Sequence, residues 1–296
     1  MEITDLTDVV KDCGFGVFTS AIANGGTVRC ITAKSGASTF TRKEIDKLTE
    51  YVKGIGVKGL AYIRWVEDAP NCSFGKFLGE GELDKILAAA GAEKGDVVFI
   101  IADKKNTALT SLGALRLKCA RQLNIIPEGK FNFLWITEFP FFEWNEETQH
   151  WDAMHHPFTM PMDESLQYLD TAPEKVFAKA YDLVLNGTEL SSGSIRITDY
   201  ELQQKMFESL GLTDEEIEAK FGFLVEAYKY GAAPHGGMGI GLDRLAMIMC
   251  GADSLRDVTA FPKVQNASEL MSNCPAAVDK DSLDILGIEV TKSEDE

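Results

Sequence analysis

Residues 235–244 read H-G-G-M-G-I-G-L-D-R, and the alternation inside this stretch decides how the second half of the chain folds. Gly237, Gly239 and Gly241 alternate with Met238, Ile240 and Leu242. In a strand, successive side chains point to opposite faces, so the three glycines share one face and the three apolar residues the other. The apolar face is expected to pack into a core. The glycine face is bare backbone. Glycine weakens a strand, so such a stripe points to something that must approach the backbone closely, and a flat aromatic base fits. Arg244 opens the helix expected over 243–250, where its planar guanidinium can stack on a base or pair with phosphate. The alternative is a stripe that admits a tightly packed helix, with Arg244 a surface cation. A dinucleotide-binding turn fits less well. The spacing is G-x-G-x-G, not G-x-G-x-x-G, and the stripe lies within the strand instead of after it.

Working outward, Thr213-x-x-Glu216 is a capping box that starts a helix over 214–228, and another helix is expected over 199–210. Residues 188–197 read as two strand pieces around a Ser/Gly turn. Residues 173–185 read as a helix, with Pro173 early in it and Asn186-Gly187 at its end. A Pro/Met-rich loop covers 155–163, and 131–138 (F-N-F-L-W-I-T-E) is an aromatic, β-rich run. Before Pro127-Glu-Gly-Lys130 the pattern is mixed α/β. Strands are expected at Thr27–Ala33, 59–66 and 96–102, and helices from Thr41 to Gly54, over 81–90 and over 108–123. The change of pattern sets a boundary near Gly129, giving domains 1–128 and 129–296 in an α/β (α+β) fold. The acidic tail, 292–296, is expected to fray.

Composition bounds the function classes. The chain has 296 residues, 45% hydrophobic and 25% charged, enough for one large or two medium domains. Its net charge of −17 argues against a general nucleic-acid binder, so an RNA partner would have to be gripped by local basic patches or by another part of the protein. The longest apolar runs, such as 97–102, are far too short to span a bilayer, and the N-terminus is acidic, without the basic and apolar regions of a secretory signal. A cytoplasmic protein without a membrane partner is expected. The six cysteines lie far apart with no C-x-x-C, which points to free, mostly buried thiols and away from zinc.

The stretch G-I-G-L-D-R resembles motif 3 of class II aminoacyl-tRNA synthetases. Its continuation, Arg256-Asp-Val-Thr-Ala-Phe-Pro-Lys263, is similar to the aspartyl, asparaginyl and lysyl subgroup. Asp152-Ala-Met-His-His-Pro-Phe-Thr159 and residues 186–199 (N-G-T-E-L-S-S-G-S-I-R-I-T-D) resemble the bacterial-type aspartyl enzymes, and residues 1–124 look like their GAD insertion domain. The resemblance implies an α/β insertion domain followed by the C-terminal part of an antiparallel-sheet catalytic domain. It implies ATP-dependent aspartylation of tRNA through an aspartyl-adenylate, with ATP and Mg2+ as cofactors, aspartate and tRNA as partners, and a homodimeric full-length enzyme. It also implies that the anticodon-binding domain and motifs 1 and 2 are not in this chain, which is therefore expected to be inactive alone. The alternatives are a non-catalytic binding module, half of a split synthetase, or a sibling enzyme for asparagine or lysine.

The resemblance also assigns residues. Glu189 would hold magnesium and ATP phosphates, and Arg196 the side-chain carboxylate of aspartate, which its fork suits. Gly237, Gly239, Gly241, Asp243 and Arg244 would bind ATP, with Arg244 and Glu189 the catalytic pair. His155 and His156 fall near the aspartate pocket. On spacing alone, Glu189 and Arg196 also fit an exposed ion pair across a turn, and each histidine fits a buried ring bonded to backbone. His155 and His156 diverge in an extended segment, which makes them poor joint metal ligands. His235 has a weaker claim.

Overall fold

Two separate strand systems organise the chain. The computed structural model divides it into unit 1, Met1–Gly129, and unit 2, Lys130–Glu296, and describes residues 1–66 and 68–291. The tail at 292–296 lies outside the described residues.

Unit 1 holds strands β1 (Ile3–Asp5), β2 (Thr27–Ala33), β3 (Ala61–Arg64), β4 (Asn71–Cys72) and β5 (Val97–Asp103), in the order β1-β2-β5-β3-β4 with every pairing antiparallel. Its helices are α1 (Thr7–Val10), α2 (Gly16–Ala23), α3 (Arg42–Lys53), α4 (Glu82–Ala89) and α5 (Lys105–Gln122). Both faces of the sheet are covered. On one, Val10, Phe18 and Ile86 pack on Val28, Cys30 and Ile100. On the other, Leu48, Val52, Leu112 and Leu115 of α3 and α5 pack on Ile31, Val97 and Phe99. Burial on both faces explains why β5 reads as the unbroken apolar run V-V-F-I-I. Thr41 caps α3 by accepting from the Glu44 N–H. The short helix α2, G-V-F-T-S-A-I-A, has almost no polar face and so gave no periodic signal.

Unit 2 contains β6 (Phe133–Ile136), β7 (Phe139–Pro140), β8 (Phe142–Asn145), β9 (His150–Ala153), β10 (Phe177–Ala178), β11 (Ala180–Leu185), β12 (Thr188–Ile195) and β13 (Gly236–Ile240). Four of them form an antiparallel sheet in the order β13-β12-β11-β6. The helices are α6 (Tyr200–Ser209), α7 (Asp214–Lys229), α8 (Leu242–Cys250) and α9 (Lys280–Leu286). Asp199 caps α6, and the Thr213–Glu216 box opens α7 with both reciprocal bonds in place. The core gathers Phe141, Val176, Ile197 and Met206, with a second cluster of Phe207, Ile217 and Val225.

Three expectations for unit 2 are overturned. Residues 173–185 are not a helix. A 3-10 turn at Pro173–Lys175 leads through β10 into β11. Asn186 and Gly187, with φ of 50° and 81°, form the two-residue loop that pairs Leu185 with Thr188, so Asn-Gly here is a hairpin turn and not a helix end. Residues 188–195 form one continuous strand instead of two pieces. Its register slips once: Leu183 faces Ser191 while Val184 faces Glu189, which leaves Leu190 as the extra residue of a bulge. Lastly, the apolar face of the glycine stripe is not in a core. Met238, Ile240 and Leu242 are 41%, 58% and 73% exposed, and none of them joins a buried cluster among the described residues; β13 itself is an edge strand, paired only with β12.

All six cysteines are free. Cys13, Cys30 and Cys119 are buried and Cys72 half-buried, but Cys250 and Cys274 are exposed. Burial pushes the Cys30 and Cys119 thiols up to about 12, so neither is a nucleophile near neutrality.

Candidate active site

Strand register assembles the site. Asp182 of β11 faces Ser192 of β12, which faces Gly239 of β13; Ala180, Ser194 and Gly237 form the next row. Directly opposed residues of antiparallel strands share a face, so the glycine stripe continues into the Asp182 row. The bulge at Leu190 brings Glu189 to this face as well. An unbroken register would set Glu189 opposite Leu185, on the other side. With the bulge it lies opposite Val184, two residues along from Asp182. The middle of the face is bare: a Cβ at Gly237 or Gly239 would meet nothing within 4 Å. The third glycine, Gly241, carries the stem of Arg244, whose Cδ and Cβ would lie 3.6 and 3.7 Å from a Cβ there. The closely packed helix offered as the alternative reading does not cover the stripe at Gly237 or Gly239.

Arg244 is held at one end of this face. Its Nη1 donates to the Glu189 carbonyl oxygen (2.7 Å) and lies 3.2 Å from Glu189 Oε1. Glu189 therefore pairs with Arg244, and the ion pair across the turn to Arg196 does not form. Beside it stands Asp182, a residue that the sequence reading did not single out. Burial, then the neighbouring Glu189 carboxylate, raises its carboxyl above the usual range, against an opposing pull from His155. His155 packs edge-on against Phe139, with centroids 4.9 Å apart. Asp243, in the first turn of α8, is exposed and makes no side-chain hydrogen bond or ion pair among the described residues.

Arg196 and His156 meet at the other end. Arg196 Nη1 lies 2.5 Å from Nε2 and 3.0 Å from Nδ1 of His156. Burial, then the Arg196 charge, then His155, holds the imidazole below its ordinary pKa, which favours the neutral ring, whose one unprotonated nitrogen can accept from the guanidinium. The Phe158 N–H donates to Nδ1 at 3.3 Å, and Thr159 Oγ1 lies at the same distance from it. The backbone of Arg196 is fixed by its N–H donating to the His235 carbonyl (3.0 Å), which gives exposed His235 a main-chain role. Ser194 Oγ, in the Gly237 row, is buried with no partner among the described residues. The two adjacent histidines have different neighbours: His155 packs on Phe139, and His156 meets Arg196. A cleft of about 600 Å3 elsewhere in unit 2, lined by Leu169, Tyr200 and Ser209, includes none of these residues.

A hairpin read as a helix hid Asp182. Had Asn186-Gly187 been taken as a two-residue turn, the run Y-D-L-V-L before it would have been a strand, and Asp182 a second carboxylate near Glu189.

Comparison with known proteins gives the family. The chain is 55% identical over 293 residues, 99% of its length, to the aspartate–tRNA ligase of Ruminiclostridium cellulolyticum, of which it covers 49%. It is 52% identical over 296 residues, all of its length, to the aspartate–tRNA ligase of Clostridium perfringens strain 13, covering 49% of that protein. It is 48% identical over 295 residues, again all of its length, to the aspartate–tRNA(Asp/Asn) ligase of Bacillus cereus, covering 50%. The chain thus spans about half the length of these curated relatives. Residues 18–265 match the family described as tRNA synthetases class II (D, K and N). With most of its residues inside that match, and antiparallel sheets flanked by helices in both units, the chain belongs to the class II tRNA synthetases of the D, K and N group.

Proposed function

We propose that this chain supplies the aspartate- and ATP-binding half of an aspartate–tRNA ligase, with unit 1 its GAD-type insertion domain and unit 2 the C-terminal part of its catalytic domain. One observation carries the reading. A cation paired with a neutral imidazole (Arg196 and His156) and a carboxylate pair with its own cation (Asp182, Glu189 and Arg244) flank a sheet face left bare at Gly237 and Gly239.

The chemistry of each group fits a role. Arg196 can receive the side-chain carboxylate of aspartate in its planar fork, and His156, neutral, orients that fork without competing as a cation. Gly237 and Gly239 leave room for a base against the strand, and Arg244 stands at its edge. Asp182 and Glu189 fit a divalent cation: burial and then repulsion by Glu189 lift the Asp182 carboxyl, a bound cation would offset both, and one or two carboxylates plus substrate phosphates are how magnesium is usually held. Bound there, magnesium would supply charge neutralisation at the phosphates.

The reaction needs little acid–base catalysis. An oxygen of the aspartate α-carboxylate bonds to the α-phosphorus of ATP, and the bond to the bridging oxygen breaks to release pyrophosphate. The 3′-terminal ribose hydroxyl of tRNA then takes the aspartyl group, and AMP leaves. Positioning and charge stabilisation by the residues above are the chain's contribution. Aspartate and tRNA as partners, a homodimeric full-length enzyme and a cytoplasmic location belong to the same reading. No helix among the described residues is long and apolar enough to cross a membrane.

The test is aspartate-dependent ATP–pyrophosphate exchange. The chain alone should give none at a useful rate. A chimaera with the N-terminal half of the R. cellulolyticum relative should restore it, and Arg196→Lys in the chimaera should remove it. Exchange by the chimaera that is indifferent to aspartate, or to Arg196→Lys, would reject the proposal.

A further inference from the structure

The acidity of the chain is not evenly spread. Unit 1 carries 17 Lys and Arg against 16 Asp and Glu, and unit 2 carries 12 against 30. Within unit 1 the cations gather in one layer. α3 and α5, side by side on the same face of the sheet, hold eight cations against three carboxylates. The opposite layer, α1, α2 and α4, holds one against three. From 104 to 127 the sequence contains five cations and no carboxylate at all.

Most of this charge is unneutralised. Lys47 and Lys53 are paired within α3, to Glu44 (2.7 Å) and Glu50 (2.8 Å). Among the described residues, exposed Arg42, Lys43, Lys105 and Arg121 have no ion pair, and Arg116 has only the Met1 carbonyl at 3.4 Å. Lys118 lies 3.8 Å over the Tyr51 ring and so ties the two helices into one surface. Apart from Leu117, which is half exposed, the rest of the α5 surface is small or hydrogen-bonding. Asn106 and Thr110 are exposed, and a Cβ at Gly113 would meet nothing within 4 Å. A polyanion lying against this helix meets no acidic side chain, and Leu117 is the one large apolar side chain that α5 exposes among the described residues.

We propose that the α3–α5 face of unit 1 is a docking surface for an RNA sugar–phosphate backbone. Its partner is the tRNA of the proposed function, on which the identity of the RNA rests. Phosphate contacts by Lys and Arg position a nucleic acid without reading its sequence, and their signature is a salt-dependent affinity. Unit 2, at 12 cations against 30 carboxylates, repels RNA in bulk, so within this chain the nonspecific grip falls to the α3–α5 layer. An acidic protein segment would favour the same cations and is the competing partner.

The test uses the full 296-residue chain and a fluorescein-labelled tRNA transcript, followed by anisotropy from about 50 to 200 mM salt. The triple variant Lys105→Glu/Arg116→Glu/Arg121→Glu should weaken binding at least about tenfold and flatten the slope of log Kd against log salt by about 2–3, since each of three phosphate contacts contributes about 0.7–0.9. A neutral triple variant with Gln at the same positions should fall between, which separates charge from misfolding; circular dichroism should be unchanged in both. A control, Lys11→Glu/Lys76→Glu/Lys85→Glu, should change Kd less than about threefold for the same net charge, by screening of distant charges. No binding by the wild-type chain, or equal losses in test and control variants, would overturn the proposal. Displacement of the tRNA by equimolar poly-glutamate would hand the surface to an acidic protein. RNA affinity is read without ATP or aspartate, so it can fail while pyrophosphate exchange in the chimaera succeeds, and the reverse.

Discussion

Two glycines on neighbouring strands should respond in opposite ways to a larger side chain. Gly193, on β12, faces Met238 of β13, and a Cβ there would lie 2.1 Å from the Gly237 carbonyl oxygen, 2.7 Å from the Tyr181 ring and 2.9 Å from Met238 Cα. Tyr181 can swing away, but the two β13 backbone atoms cannot without disturbing the pairs Ser192–Gly239 and Ser194–Gly237. Overpacking of this kind costs about 1–3 kcal/mol. Displacing Tyr181 also loses its hydroxyl donation to the Gly237 carbonyl (3.1 Å), worth about 1 kcal/mol more. Gly193→Ala should therefore destabilise unit 2 by about 2–4 kcal/mol. At ~2–4 °C per kcal/mol for a domain of this size, its melting temperature should fall by roughly 5–15 °C. At Gly239, on the bare face, nothing lies within 4 Å of a Cβ. Valine is a good strand residue, so Gly239→Val should keep the melting temperature within ~2 °C, as surface substitutions usually do. It should nonetheless abolish ATP binding in the chimaera, because the branched side chain fills the space assigned to the base. The assays are thermal melting of the chain and an ATP titration of the chimaera. Equal melting of the two variants would refute the packing argument, and normal ATP binding by Gly239→Val would refute the pocket.

Three further outcomes are expected. Arg196→Lys should lower aspartate affinity in the chimaera by at least about tenfold with little change in melting, because a lysine ammonium cannot reproduce the bidentate fork; calorimetric titration checks it. Asp182→Asn should leave the free protein as stable or slightly more so, since it removes a carboxylate strained by burial and by Glu189, yet it should raise the magnesium concentration needed for pyrophosphate exchange. Asp96→Asn should destabilise unit 1 by about 1.5–3 kcal/mol at pH 7. Its carboxylate accepts from the Ser35 and Glu93 N–H groups (2.8 and 2.9 Å) and faces Lys34 at 2.9 Å. Burial raises its pKa, but those donors outweigh burial and hold it below the usual carboxylate range. Its contribution is thus complete above the unfolded value of about 3.9 and is lost as pH falls through the lower folded value. Urea denaturation at pH 7 and at pH 3 should show the Asp96→Asn deficit shrinking in acid.

Much of the fold was legible where local chemistry and tertiary packing agree. The α3 and α7 caps at Thr41 and Thr213, the buried run of β5 and the apolar stripe of α5 were all visible, because each element satisfies its own backbone and presents one consistent period. The failures share a cause. Residues 173–185 contain helix formers, and pairing with β6 and β12 is what holds 180–185 as a strand. The bulge at Leu190 leaves no local mark, since it is defined by the partner strand. The glycine stripe, Glu189, Arg196 and the paired histidines could be named from motifs. The resemblance also grouped Glu189 with Arg244 and Arg196 with the histidines; strand register is what brings each group into contact. Asp182 was lost with its strand.

The Asn186-Gly187 hairpin has a consequence for the chemical lifetime of the protein. An asparagine followed by glycine is prone to lose ammonia through a cyclic imide, since glycine offers no side chain to hinder attack by its own nitrogen. Here the Asn186 side chain is engaged at both ends: Nδ2 donates to the Lys130 carbonyl (2.8 Å), and Oδ1 accepts from the Asn132 N–H (2.9 Å). Deamidation would replace that donor with an oxygen facing a carbonyl oxygen. The isoaspartyl product would also add a methylene to a loop only two residues long. The pairing of β11 with β12 would then have to shift, and with it the alignment of Asp182 beside Glu189. The turn that sets the two carboxylates in register is thus also where ageing of the polypeptide would first separate them.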